Sequence, residues 1–224
     1  MTTATQTSAT VPRNTIIHGD CIDVMRTMPA WSVDFILTDP PYLPAYKSRD
    51  NRTILNDDNA AWLTGSFAQM YRVLKNDACA VTFYGWPKTD LFFEAWKSAG
   101  FRIGGHIVFR KRYASKTAFL QYRHESAYLL IKGNPAFPDA PLPDVMDWVY
   151  TGNKLHPTQK SIHILKPLVE AFSLPGQIVL DPFAGSGSSC VAAHRTGRDY
   201  IGIELAAEHH ETATGRLLGN GASA

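Results

Sequence analysis

The four residues Asp39-Pro40-Pro41-Tyr42 have the types and spacing needed to bind the exocyclic amino group of a nucleobase. That nitrogen is a poor nucleophile because its lone pair is delocalised into the ring. Asp39 and the Pro40 carbonyl can each accept one of its hydrogens, which favours a pyramidal nitrogen able to attack an electrophile. The two prolines fix φ at about −65°, and Tyr42 offers a flat face to an extruded base. Taken alone, the same residues could be an ordinary strand-ending turn.

A second candidate site is the glycine-rich turn at residues 181–187, Asp-Pro-Phe-Ala-Gly-Ser-Gly, which follows an apolar strand pattern. Gly185 and Gly187 allow the backbone to approach a ligand closely, and the N–H groups of the turn are available to acceptors. Glu204 ends the next strand pattern, 17 positions beyond Gly187. A doubly wound fold places an acidic residue there against a ribose diol. Glu204 could instead cap the helical pattern that starts at Ala206, but the glycine turn favours the ribose role.

With both motifs in this order, the chain resembles the β class of amino-group-specific DNA methyltransferases, which use S-adenosylmethionine. In that family the catalytic Asp-Pro-Pro-Tyr precedes a Phe-x-Gly-x-Gly cofactor turn, as residues 39–42 and 183–187 do here. Residues 18–21, His-Gly-Asp-Cys, resemble the acidic element that contacts the cofactor adenine. Residues 156–160, His-Pro-Thr-Gln-Lys, resemble the segment that contacts the methionine end of the cofactor. The resemblance covers residues 14–215.

This resemblance implies a role for each matching residue. The catalytic residues are Asp39, Pro40, Pro41 and Tyr42. The cofactor-binding residues are Asp20, Asp39, Thr158, Lys160, Asp181, Phe183, Ala184, Gly185, Gly187 and Glu204. Asp20 is expected near the adenine and Glu204 on the ribose, with the amino-acid end near residues 183–187 and 158–160. His156 is expected to be a turn residue, and no metal ion is expected.

The fold is predicted independently from periodicity. Seven apolar runs indicate strands, at residues 15–18, 33–38, 78–84, 101–110, 126–132, 177–181 and 200–204. Helical patterns lie between most of them, at residues 21–28, 60–74, 88–99, 162–172, 188–195 and 206–217. This alternation predicts an α/β fold with a doubly wound, mostly parallel sheet whose carboxyl edge binds the ligand. The resemblance implies the Rossmann-like methyltransferase fold, circularly permuted so that the cofactor half is C-terminal.

Length and composition predict one methyltransferase domain. The 224 residues are 45% hydrophobic, enough for one sizeable core. The domain is expected at residues 14–217, between flexible tails at 1–13 and 218–224. No run approaches the ~20 apolar residues needed to cross a membrane, and the first residues are unlike a signal peptide. Three scattered cysteines indicate neither a zinc site nor a disulfide framework, so a cytoplasmic protein is predicted.

Candidate contacts to double-stranded DNA come from the distribution of charge, because the net charge is only +2. Basic residues cluster after Tyr42 and, interleaved with aromatic residues, after the fourth strand pattern. Any one of them could be a solvated loop residue, but as a group at the catalytic rim they are predicted to neutralise phosphates. They are Lys47, Arg49, Arg52, Arg110, Lys111, Arg112, Lys116 and Arg123. Residues 43–58, 111–124 and 133–155 are candidate target-recognition segments. Because these segments are short, a homodimer is expected.

The predicted reaction is methyl transfer from S-adenosylmethionine to a flipped-out base. In the family, an acid at the first position of the four-residue turn accompanies adenine-N6 transfer, whereas a serine is more common in cytosine-N4 enzymes. Asp39 therefore favours adenine, with cytosine N4 as the alternative. Two other classes stay open: methyl transfer to RNA or a protein amide, and a non-catalytic nucleic-acid-binding protein that keeps the fold. The resemblance suggests a role in restriction–modification, whereas the residues identify no restriction partner.

Overall fold

A computed structural model describes residues 11–42, 61–149 and 160–220 of the chain. The strands in these ranges are β1 (Thr15–His18), β2 (Val33–Thr38), β3 (Leu74–Phe83), β4 (Arg102–Arg110), β5 (Lys116–Thr117), β6 (Gln121–Tyr122), β7 (His124–Lys132), β8 (Val145–Asp147), β9 (Ile178–Asp181) and β10 (Asp199–Glu204). The α-helices are α1 (Cys21–Thr27), α2 (Ala61–Val73), α3 (Thr89–Ala99), α4 (Ile162–Phe172), α5 (Ser188–Arg195) and α6 (Ala207–Gly215). Short helical turns occupy Trp86–Lys88 and Arg216–Asn220.

Eight of these strands form one sheet in the order β1-β10-β9-β2-β3-β7-β4-β8. Strands β1, β10, β9, β2 and β3 run parallel to one another. Strand β7 is antiparallel to both β3 and β4, and β8 is parallel to β4. The first residues of β7 therefore lie at the same edge as the last residues of β2, β3 and β4. Strands β5 and β6 pair separately as a short antiparallel ribbon.

The predicted α/β fold with a mostly parallel sheet is confirmed, and all seven predicted strands are present. The largest shift is in β3, which begins at Leu74 and not at residue 78. Strand β8 and the β5–β6 ribbon are absent from the prediction. The reason is physical: β8 has three residues with both ends exposed, and each ribbon strand has only two residues. None of them has a buried apolar run for periodicity to detect.

Helices cover both faces of the sheet, and β2 shows how its residues divide between them. Ile36 packs in a core cluster with residues of α1, α2 and α3. Phe35 and Leu37, which point to the opposite face, pack in a second cluster with residues of α4 and α5. All three side chains are fully buried. Burying each contributes roughly 1.5–3 kcal/mol, so the strand that carries the candidate catalytic turn is held from both sides.

Several predictions lie outside the described residues. These are the phosphate contacts Lys47, Arg49 and Arg52, the cofactor contact Thr158, the turn residue His156, and the outermost parts of both tails. Within the three described ranges, the helices are too short or too polar to span a bilayer. In the same ranges, no group of three or more His, Cys, Asp or Glu side chains is placed to hold a metal ion. All three cysteines are free thiols.

Candidate active site

The Asp-Pro-Pro-Tyr turn begins directly after β2, at the carboxyl edge of the sheet. The Tyr42 hydroxyl donates a hydrogen bond to Asp39 Oδ1 at 2.8 Å, which closes the turn on itself. Gly85 follows β3 and packs against the turn, and a Cβ atom added to it would lie 2.5 Å from the Tyr42 carbonyl oxygen. Only glycine allows this approach without displacing the Tyr42 backbone. The position of the turn therefore depends on Gly85, which the sequence analysis did not identify.

Lys160, which directly precedes the N-cap residue of α4, places its ammonium group against this turn. It donates to Asp39 Oδ2 at 2.6 Å and to the Tyr42 hydroxyl at 3.1 Å. The ammonium also lies over the rings of Tyr42 and Phe83, at 5.2 and 4.8 Å from their centroids. Burial acts to lower the pKa of Lys160, but the nearby Asp39 and Glu125 carboxylates raise that pKa above its usual value. A fixed positive charge thus sits beside Asp39. The predicted contact of Lys160 with a cofactor stays a prediction.

Glu125, the second residue of β7, completes this group and was missed by the sequence analysis. Lys111 donates to Glu125 Oε1 at 2.6 Å, and Lys160 lies 3.6 Å from Oε2. The Tyr42 hydroxyl is 3.4 Å from the same Oε2. Burial disfavours ionisation of Glu125, but Lys160 and Lys111 together hold its pKa below the usual value. In the sequence, Glu125 appears only as a carboxylate at the start of an apolar strand. Its place in the site follows only once β7 is known to be antiparallel.

Lys111 itself requires a correction. It was predicted to contact a phosphate, but its side chain is only 6% exposed and is paired with Glu125. Its ammonium therefore neutralises a buried carboxylate and is not presented to a polyanion. Arg110 is exposed and forms an ion pair with Asp147 at 2.8 Å. The remaining predicted contacts in this segment are exposed and stay predictions; they are Arg112, Lys116 and Arg123.

The electrostatics of the turn suit a hydrogen-bond acceptor. Burial raises the pKa of Asp39 above its usual value, although Lys160 and Tyr42 oppose that rise. Burial and the neighbouring Asp39 and Glu125 carboxylates raise the pKa of Tyr42 well above its usual value, so the phenol stays protonated. Each Asp39 oxygen accepts one hydrogen bond here and can accept another. The carboxylate is thus oriented by two donors while it retains capacity for a substrate N–H.

The glycine-rich turn follows β9 at the same edge of the sheet. Gly185 and Gly187 have φ values of 53° and 78°, which only glycine adopts readily. Ala184 is buried, and its N–H donates to the Ile203 carbonyl at 2.9 Å, so its predicted cofactor contact stays a prediction. One oxygen of Glu204 accepts from the Gly185 N–H at 2.7 Å, and the other accepts from the Ala206 N–H at 2.8 Å. Glu204 therefore connects the glycine turn to the segment before α6, and its predicted ribose contact stays a prediction.

Asp181 joins the glycine turn to the end of β2. Its Oδ1 accepts from the Thr38 hydroxyl at 2.8 Å and from the Phe183 N–H at 3.1 Å. The residue is only 3% exposed, and burial raises the pKa of Asp181 to about 7. Because Thr38 directly precedes Asp39, this hydrogen bond holds the catalytic and glycine turns side by side. The Phe183 ring packs edge-on against Trp62, with centroids 5.0 Å apart.

Asp20 lies at the same edge through the pairing of β1 with β10, in which His18 is opposite Glu204. The Gly19 N–H donates to the Glu204 carbonyl at 2.9 Å. Asp20 caps α1 by accepting from the Ile22 N–H at 2.8 Å. The predicted site residues therefore fall into two adjacent groups. Asp39, Tyr42 and Lys160 contact one another, whereas the residues predicted to hold adenine and ribose lie around the glycine turn.

Sequence comparison identifies the family of this chain. Residues 33–215 match the family described as DNA methylase. The chain belongs to this family. It is 56% identical over 201 residues to the proposed methylase YubD of Escherichia coli (strain K12), covering 90% of this chain and 88% of YubD. It is 26% identical over 257 aligned positions to the type II methyltransferase M.HinfI of Haemophilus influenzae, covering 91% and 68% of the two chains. The resemblance inferred from the motifs is confirmed.

Several solved structures have a similar fold. The cytosine-N4-specific PvuII DNA methyltransferase has a TM-score of 0.74 at 14% identity, over 96% of this chain and 89% of that one. The complex of M1.HpyAVI with S-adenosylmethionine has a TM-score of 0.71 at 23% identity, over 92% and 98%. TTHA0409 of Thermus thermophilus, also solved with S-adenosylmethionine, has a TM-score of 0.70 at 23% identity, over 92% and 95%. The fold is therefore that of the S-adenosylmethionine-dependent methyltransferases.

Proposed function

We propose that this protein transfers a methyl group from S-adenosylmethionine to the N6 amino group of adenine in double-stranded DNA. The observation that carries the proposal is the Asp39 carboxylate, held between Lys160 and the Tyr42 hydroxyl at the carboxyl end of β2. Thr38 connects that position to Asp181 and so to the glycine turn. An acceptor for an amino group thus lies next to a turn suited to the methyl donor. Membership of the DNA methylase family supports the same reaction.

The residues around the glycine turn fit the chemical groups of this cofactor. The Glu204 carboxylate accepts two backbone N–H groups and keeps lone pairs for ribose hydroxyls. Asp20 is partly exposed beside Glu204 and can accept from the adenine amino group. Gly185 and Gly187 lack side chains, so the cofactor can approach the backbone of the turn closely at the position expected for its amino-acid end. When bound, S-adenosylmethionine supplies a methyl group carried on a positively charged sulfur.

The catalytic turn then has three tasks. Tyr42 stacks on the flipped base with the ring face opposite Lys160, after extrusion of the base at a cost of a few kcal/mol. Asp39 and the Pro40 carbonyl accept the two amino hydrogens, which directs the nitrogen lone pair out of the ring plane. Asp39, whose pKa is raised by burial, is placed to receive the proton that the amino group releases. Orientation of the amino group at this site supplies much of the rate.

Adenine is proposed over cytosine because an acid, Asp39, occupies the first position of the catalytic turn. DNA as the substrate supports a cytoplasmic location, as do three cysteines that are all free thiols. A homodimer is proposed because the candidate recognition segments are short. A sedimentation mass of 24.8 kDa for the free protein, and of one such chain plus the duplex for the DNA complex, would exclude the dimer.

The test is transfer of a labelled methyl group from S-adenosylmethionine to unmethylated bacterial DNA, followed by digestion to nucleosides. Label in N6-methyladenine is the expected result, and mapping the modified positions identifies the recognition sequence. Label in N4-methylcytosine would retain the mechanism and change only the base. Absence of label in DNA, with cofactor binding measured separately, would contradict the proposal and direct the search to RNA and protein substrates.

A further inference from the structure

The β5–β6 ribbon carries two exposed apolar residues at its tip. Residues 112–121 are all exposed. Lys116 pairs with Tyr122 in the ribbon, and the Ala118 N–H donates to the Leu120 carbonyl at 3.0 Å. This short turn places Phe119 at the apex, where it is fully exposed, while Leu120 is 69% exposed. Single exposed apolar residues are ordinary, but this pair is presented by a hydrogen-bonded turn.

The base of the ribbon is attached to the catalytic site. The Lys111 N–H donates to the Arg123 carbonyl at 2.7 Å, and the Lys111 ammonium pairs with Glu125 at 2.6 Å. Glu125 in turn lies 3.4 Å from the Tyr42 hydroxyl. Leu120 is five residues from Glu125, so even a fully extended chain places the two at most about 17 Å apart. The tip is thus within reach of a duplex whose target base is bound at Tyr42.

A second connection runs through aromatic residues. Trp86 stacks on Tyr122 of the ribbon, with ring centroids 5.6 Å apart and ring planes at 19°. Trp86 directly follows Gly85, the residue that packs against the Tyr42 backbone. The ribbon is therefore docked on the same segment that positions the catalytic turn. Its orientation relative to Tyr42 is set from two sides.

The charge around the tip indicates the kind of partner that it binds. No acidic residue occurs between positions 110 and 124, and Arg112, Lys116 and Arg123 are exposed there. Basic side chains beside an apolar tip fit a DNA duplex, because the basic groups contact phosphates while apolar side chains enter between base pairs. A protein partner recognised through apolar contacts alone would not call for this uniform positive charge.

We infer that Phe119 and Leu120 form a wedge that enters the duplex next to the target and fills the space left by the flipped base. The inference rests on the proposed function, because an enzyme that modifies a base inside a duplex must first extrude it. Contact of the wedge with the remaining stack offsets part of the stacking lost on extrusion. The wedge therefore acts on base extrusion and leaves the methyl-transfer chemistry unchanged.

The experiment compares the F119A/L120A double variant with the unaltered protein on two synthetic duplexes that carry the mapped recognition sequence. In one duplex the target base is paired, and in the other it lies opposite an abasic site and needs no unpairing. The double variant should lose at least about tenfold in rate on the paired duplex and stay within about twofold on the abasic one. Leu174→Ala is the matched control, since Leu174 is 66% exposed and lies between α4 and β9, outside the ribbon and the candidate recognition segments, and it should change neither rate.

Three other results would overturn the wedge. The first is an equal loss on both duplexes, which would indicate a contact that contributes only affinity. The second is no loss on either duplex, and the third is an equal loss with Leu174→Ala. In each of these three cases, methylation of both duplexes by the unaltered protein would show that the proposed function holds although the wedge fails. If the unaltered protein methylated neither duplex, the proposed function would fall, and the wedge with it. Thermal melting of all variants should be unchanged because the substituted side chains are exposed.

Discussion

The two halves of the sheet use their polar residues in opposite ways. In the parallel half, formed by β1, β10, β9, β2 and β3, the carboxylates of Asp181 and Glu204 bind backbone N–H groups and so fix the turns at the carboxyl edge. In the half formed by β7, β4 and β8, with the attached ribbon, the basic residues Arg112, Lys116 and Arg123 are exposed. The first half is thus built to hold a small ligand rigidly, and the second presents an extended surface to a large one.

The candidate active site lies where the two halves meet. Phe83 of β3 pairs with Ala127 of β7, and two residues before Ala127 the Glu125 carboxylate reaches the Tyr42 hydroxyl. Asp39 comes from one half, Glu125 from the other, and Lys160 lies between their carboxylates. Neither half alone therefore contains the complete group of Asp39, Glu125 and Lys160. Substitutions at this seam should affect transfer, whereas those inside one half should affect stability or binding.

Removal of the carboxylate at the seam should have the largest effect. Asp39→Ala is expected to lower methyl transfer roughly 10³-fold, because the amino group loses its acceptor. Affinity for S-adenosylmethionine should change little, since Asp181 and Glu204 are retained. Labelled-methyl transfer and titration calorimetry measure the two quantities. Asp23→Ala, which removes a carboxylate that is 72% exposed on α1, is the control. Near-normal turnover by Asp39→Ala would contradict the assigned role.

A substitution inside the parallel half should act on stability and depend on pH. Because the pKa of Asp181 is raised from 3.8 to about 7, the folded state binds more protons than the unfolded state between these values. The contribution of the protonated Asp181 carboxyl group to stability is fully present below about pH 4 and is lost as pH rises through about 7. Asn can still accept from Thr38 and Phe183, so Asp181→Asn should raise the free energy of unfolding by on the order of 3 kcal/mol at pH 8.

Urea unfolding at pH 8 and at pH 4 measures this effect of Asp181→Asn. The gain should be small at pH 4, where the native carboxyl group is already protonated. An equal change at both pH values would show that burial of the ionised carboxylate is not its cause.

A methyl group at the back of the catalytic turn should impair turnover through geometry alone. In Gly85→Ala the new Cβ would lie 2.5 Å from the Tyr42 carbonyl oxygen, so the turn must shift. A displacement of about 1 Å can cost around 10²-fold in rate, and we expect a loss of that order in kcat. Gly105→Ala is the control, because the nearest atom to its Cβ is Leu129 Cβ at 4.0 Å. Equal activities of the two variants would show that the turn tolerates the shift.

The charges that cross the seam should move the pH profile in opposite directions. Glu125 raises the pKa of Asp39 and Lys160 lowers it. Glu125→Gln should therefore shift the acid limb of the kcat profile to lower pH, and Lys160→Met should shift it to higher pH. Each should also reduce kcat about tenfold through looser positioning. Glu94→Gln on α3, which alters an exposed residue, should shift nothing. Shifts in the same direction would indicate a general loss of structure.

Predictions from the sequence succeeded where the physical requirement is local. The apolar run of β2 indicates a buried strand, and the glycines at 185 and 187 do adopt positive φ. The predictions failed where the requirement depends on residues that are distant in the sequence. Lys111 resembles any other basic residue of its segment until its partner Glu125, 14 positions away, is known. Gly85 has ordinary backbone angles, φ −85° and ψ 109°, so only the approach of Tyr42 explains it.

The sequence by itself determined the elements, the two motifs and their order, because strand periodicity, turn chemistry and a reactive tetrapeptide are properties of neighbouring residues. The tertiary structure alone decided that β7 runs antiparallel, since a buried strand shows the same apolar run in either direction. That direction brings Glu125 to within 3.4 Å of the Tyr42 hydroxyl across 83 positions of sequence. The assembly of Asp39, Lys160 and Glu125 into one charged group therefore depends on strand direction, which no local pattern encodes.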